Sequence, residues 1–105
     1  MEYKALAGML PEGRENAITA GALAALFNTD ARQITRAIEH LRKREHIPVC
    51  ASCSGKGYGM GYYLPADERE LEEYIHSMAR RVTNVTRTYK ALARFDWKSW
   101  EKARG

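Results

Sequence analysis

Apolar residues along this chain fall first at helical spacing, then in short extended runs, then at helical spacing again. Tyr3, Leu6, Met9 and Leu10 predict a short helix that stops before Pro11, and Pro11-Glu12-Gly13 reads as a turn. Asn16-Ala17-Ile18-Thr19 is brief and partly β-compatible, which predicts a short strand leading into a helix. Thr19 suits the cap of that helix, because its hydroxyl can accept one of the unpaired first-turn amides. Leu23, Leu26 and Phe27 stand at i, i+3 and i+4 and are expected to face a core. Asn28 should end the helix, since asparagine tolerates the left-handed conformation. Thr29 or Asp30 then caps a second helix whose buried stripe is Ile34, Ala37, Ile38 and Leu41.

After His46 the pattern turns extended. Residues 47–52 (Ile47-Pro48-Val49-Cys50-Ala51-Ser52) predict a strand, with Pro48 near its start or at a sheet edge, where a missing amide is tolerated. Gly55, Gly57, Gly59 and Gly61 alternate through the next segment, and Tyr62-Tyr63-Leu64 is aromatic and β-prone. Pro65-Ala66-Asp67 opens the longest element, with Asp67 and Glu70 at capping-box spacing. Its apolar seam puts Leu71, Met78, Val85 and Leu92 at d positions and Ile75, Val82 and Tyr89 at a positions. Such a helix is longer than a small domain needs for its own core. Homodimerisation through the seam is the preferred expectation; folding back over the domain's open face is the other. The flanking e and g residues (Glu72, Tyr74, Ala79, Arg81, Thr86, Thr88 and Ala93) offer little charge pairing for a parallel coiled coil. The expected organisation is a domain over residues 1–66, a long helix over 67–95 and a basic tail with Trp97 and Trp100 over 96–105.

Two amphipathic helices joined by about three residues, the second richer in base, have the sequence shape of a helix-turn-helix. Strand, glycine-rich loop and strand directly afterwards read as a wing, with Lys56 near its tip. The expected fold is therefore α+β, mostly α: a winged helix-turn-helix with a short β-hairpin wing and a long C-terminal helix. At about 100° per residue, Arg32, Arg36, Glu39 and Lys43 lie opposite the second helix's buried stripe, with Gln33, Thr35 and His40 on the flanks. Arg and Gln can grip guanine and adenine edges bidentately in a major groove. Glu39 could accept from a cytosine amine or pair with Lys43 at i+4. Thr29, Arg32, Gln33, Thr35, Arg36, His40, Lys43 and Lys56 form the candidate DNA-binding set. The net charge of +4 is segregated: residues 67–73 carry five acids and one base, while residues 80–105 carry eight bases against Asp96 and Glu101. Segregated positive charge suits a polyanion.

Residues 10–64 resemble the small winged-helix proteins of bacteria and their phages and prophages. The likeness lies in Leu10-Pro11-Glu12-Gly13-Arg14-Glu15-Asn16-Ala17-Ile18-Thr19, in Leu23-Ala24-Ala25-Leu26-Phe27, and in the helix bearing Arg32, Ile34, Ile38, Leu41 and Arg42. It continues through Ile47-Pro48-Val49-Cys50 and Gly61-Tyr62-Tyr63. The resemblance implies binding of duplex DNA, with the second helix in the major groove and the wing beside it. The chain departs from that pattern at Asn28, where glycine is usual in the turn. It departs again at Arg44-Glu45-His46, where glycine more often precedes the Ile-Pro strand; a longer second helix is open there.

Other chemistries fit poorly. His40, His46, Cys50 and Cys53 are four possible zinc ligands, but in a strand Cys50 and Cys53 would point to opposite faces. The glycine run lacks the order of a phosphate-binding loop and precedes a strand, not a helix. His76 reads as a surface or interface residue, and no nucleophile spacing is recognisable. No enzyme activity, metal or cofactor is expected. Two cysteines are too few for a disulfide framework, no apolar run approaches membrane-spanning length, and the N-terminus has no secretory features. Cytoplasmic residence, without membrane contact, follows as the expectation. The expected function is a phage- or prophage-type transcriptional regulator acting on double-stranded DNA. Phage replication or genome handling, and a winged-helix protein-interaction module, are the alternatives.

Overall fold

Local capping chemistry decides where each helix begins and ends. The computed structural model describes residues 2–52 and 60–105. The described residues are mostly helical, with one small antiparallel sheet. Helix α1 (Tyr3–Met9) is followed by a single 3-10 turn over Arg14–Asn16. Helix α2 (Ala20–Leu26) starts at Thr19, whose hydroxyl accepts from the Ala22 amide at 3.1 Å. It stops in a Schellman arrangement: Thr29 N–H donates to Ala24 O, Asn28 N–H donates to Ala25 O, and Asn28 itself has φ 52°. Helix α3 (Ala31–Lys43) is capped by Asp30, whose Oδ1 accepts from the Gln33 amide at 2.8 Å.

Strands β1 (Cys50–Ser52) and β2 (Gly61–Tyr63) pair antiparallel, Cys50 opposite Tyr63 and Ser52 opposite Gly61. Single bridges extend this sheet on the β2 side: Ile18 exchanges both backbone hydrogen bonds with Tyr62, and Glu12 bridges Leu64. Gly61 makes the approach possible. Its φ is 118°, and a Cβ there would collide with the Ile18 carbonyl. Helix α4 (Glu68–Ala93) and helix α5 (Trp97–Arg104) complete the chain.

The chain divides into two units, Met1–Tyr74 and Ile75–Gly105, so α4 contributes its first residues to one and the rest to the other. The first unit holds the core: Leu6, Leu10, Leu23, Ala24, Ile34, Ala37, Ile38, Leu41 and Val49 pack in one cluster, with Ile18, Phe27 and Tyr62 partly buried against it. In the second unit Trp100 lies against Trp97 and Phe95, with ring centroids 5.1 and 6.2 Å apart, and Arg104 stands over the Trp100 ring.

Several expectations need correction. Leu26 is 58% exposed; the core face of α2 is set by Leu23, Ala24 and Phe27, and Leu26 lies about 100° around the helix from its centre. The expected strand over residues 47–52 is reduced to Cys50–Ser52, because Ile47 N–H is taken by Leu41 O and Val49 N–H by Ile47 O. The segment before α2 pairs at Ile18 only, without forming a strand. The second helix does not run on: Arg44 caps it, and His46 adopts φ 55° in the place where glycine was missed. The basic tail, for which the sequence names no element, contains α5, started by Asp96 accepting from the Ser99 amide and hydroxyl.

Candidate nucleic-acid interface

The face of α3 opposite its buried stripe carries the candidate side chains. Arg32, Gln33, Thr35, Arg36 and Lys43 are exposed, whereas Thr29 and His40 are half-buried. Burial of Ile34, Ala37, Ile38 and Leu41 fixes the helix rotation, and the 3.6-residue repeat then turns Arg32 and Arg36 outward together. Neither arginine has a hydrogen bond or ion pair with another described residue. Their guanidinium groups are left for solvent or a ligand.

Further along the helix the charges are partly consumed internally. Glu39 accepts from Arg42 at 2.8 Å and from Lys43 at 3.0 Å, which favours its pairing role over base contact. Those contacts, Lys43 first, hold the Glu39 carboxyl below its ordinary range. Thr35 Oγ1 donates back to Ala31 O, so its hydroxyl proton is occupied. His40 stacks on Tyr3 of α1, ring centroids 3.7 Å apart, and its Nε2 lies 3.3 Å from Glu45 Oε1. The structure thus brings Arg32, Gln33 and Arg36 together as open groups and ties His40 into the body of the domain. Lys56 lies outside the described residues, as does most of the segment read as the wing tip.

Sequence reasoning names Arg42 only among the bases and in the family likeness, and gives it no structural role. Its Nε donates to Val49 O at 2.8 Å, one terminal nitrogen to Glu39 and the other to the Tyr74 hydroxyl at 3.1 Å. One side chain therefore joins α3, the approach to β1 and the start of α4. Glu70 plays a similar part: its Oε1 accepts from the amides of Arg14 and Ala66. The Asp67–Glu70 spacing gave half of this, since Asp67 Oδ1 does accept from the Glu70 amide. Nothing in the sequence pointed to Arg14 as the other partner.

Among the described residues no group of three or more His, Cys, Asp or Glu is arranged to hold a metal, and no helix is long and apolar enough to cross a membrane. Cys50 is buried and lies 3.6 Å from Pro48 O. Of the seam residues, Leu71 is half-buried, while Ile75, Met78, Val82, Val85, Tyr89 and Leu92 are all exposed. No protein-family model, no curated protein and no solved structure matches this chain.

Proposed function

We propose that the first unit is a winged helix-turn-helix domain that binds double-stranded DNA through α3, as a homodimer joined by α4, in the manner of a phage- or prophage-type transcriptional regulator. The observation that carries this reading is the pair Arg32 and Arg36, exposed and unpaired beside Gln33 on the outer face of the second of two closely linked helices. The short α2–α3 connection, with Asn28 in the left-handed conformation, supports the helix-turn-helix assignment. The antiparallel β1–β2 pair directly after α3 supports the wing.

Selecting bound fragments from a random duplex pool tests the proposal. A palindromic motif with half-sites about one helical turn apart is the expected result. Arg36→Ala should then weaken binding to that motif by about 1–3 kcal/mol and relax the preference at one base position. Binding that stays weak and salt-sensitive for every duplex would instead favour a protein-interaction module, a reading supported by the exposed Trp97 and Trp100. A motif mapping to a replication origin would move the assignment from regulation to genome handling.

A further inference from the structure

The seam on α4 is self-complementary in one orientation, and its charges select the same one. Ile75, Met78, Val82, Val85, Tyr89 and Leu92 are between 40% and 68% exposed, an apolar stripe too long to leave in water without a partner. Acids crowd the start of the helix: Glu68, Glu70, Glu72 and Glu73, against Arg69. From Ile75 to Ala93 there are Arg80, Arg81, Arg87 and Lys90 and no acid. A parallel pair would lay acid on acid and base on base, and would align the two helix dipoles unfavourably as well. Reversing one helix sets each acidic start beside a basic end.

Resting on the homodimer reading above, we propose that α4 pairs antiparallel with α4 of a second copy, Met78 of each copy packing against Val82 of the other. That register centres the twofold axis near residue 80. It places Leu71 against Tyr89 and Ile75 against Val85 of the second copy, and each layer joins a larger to a smaller side chain. Glu72 and Lys90 lie on the same flank of the seam, and the register brings Glu72 of one copy within reach of Lys90 of the other, twice by symmetry. Neither has an ion-pair partner among the described residues of its own chain. Beside His76, that flank carries the small residues Ala79, Thr83, Thr86 and Ala93, which lie around and beyond the twofold axis, and Thr83 already returns its hydroxyl proton to Ala79 O at 3.0 Å. Close approach is therefore possible there. On the opposite flank Arg81 meets its own symmetry mate, and at each end of the seam Leu92 falls opposite Glu68 of the second copy; these are the unfavourable contacts of the arrangement.

The test uses the full chain carrying Cys50→Ala and Cys53→Ser, with a single nitroxide label at Asn84→Cys or at Ala91→Cys. Sedimentation reports the assembly, and electron–electron double resonance reports the distance between labels. The expected result is a dimer in which the residue 91 pair is about 20 Å farther apart than the residue 84 pair, from the 1.5 Å rise per residue. A dimer with matching distances at both positions overturns the antiparallel arrangement and leaves the homodimer reading intact. A monomer at every concentration overturns both. Arg81→Gln should tighten the dimer several-fold, and no tightening argues for a partner flank without Arg81. Glu72→Lys should loosen it, and adding Lys90→Glu should restore it; failure of that restoration removes the Glu72–Lys90 contact.

Discussion

At the scale of single residues, Gly61 is the position among the described glycines where the backbone leaves least freedom. Gly61→Ala must relieve both a left-handed φ and a contact with the Ile18 carbonyl, so it should lower stability by about 2–3 kcal/mol, read from the urea midpoint. Gly8 is the control: it is helical with nothing within 4 Å of an added Cβ, and Gly8→Ala should raise stability by about 0.5–1 kcal/mol. Burial pushes the Cys50 thiol up to about 11 and the Tyr63 hydroxyl up to about 12, from ordinary values of 9.0 and 10.0. These folded-state values are raised, so the associated stability is complete below pH 9 and is lost as the pH climbs through 11, while the unfolded chain ionises first. The melting temperature should fall across that window. Cys50→Ala should remove the earliest part of the fall, on the order of 2 kcal/mol.

Single elements were legible in proportion to how local their determinants are. The stripe of α3, the Thr19 cap and the Asn28 stop all depend on neighbours within one or two turns and are legible in the sequence, which also narrows the α3 cap to Thr29 or Asp30, of which Asp30 serves. Leu26 was misassigned because α2 has only seven residues, too few for spacing to define its core face. His46 was missed for a different reason: histidine does not announce a left-handed residue, and only the hydrogen bonds around the α3 exit reveal it. His46→Gly should stabilise the domain by roughly 0.5 kcal/mol, the relieved strain being partly offset by a freer unfolded chain. Arg42 depends on contacts with Val49 and Tyr74, far away in sequence, and no local pattern marks it. Arg42→Ala should cost about 1–2 kcal/mol of stability, measured by chemical denaturation, and on the proposed reading should leave any sequence preference for DNA unchanged.

For the whole molecule, the proposed reading makes affinity for DNA a matter of ionic strength. Replacing Arg32 or Lys43 by alanine should each reduce the slope of log affinity against log salt by about one where the side chain meets a phosphate. Lys43 is already shared with Glu39, so its effect should be the smaller. The mostly helical class and the long helix α4 were visible in the sequence, whereas α5 was not. It is held by one capping aspartate and a tryptophan pair, and it has no apolar stripe long enough to declare a helix.

The bridges from Ile18 to Tyr62 and from Glu12 to Leu64 join stretches of chain that are distant in sequence, while α1, α2 and α3 follow one another closely. Loop-closure entropy weighs on the former and hardly on the latter. The helices should therefore already be assembled in the transition state for folding, with the ladder at Tyr62 zipping up on the downhill side. Conservative core changes at Leu23 or Ile38 should slow refolding, and changes at Ile18 should chiefly speed unfolding.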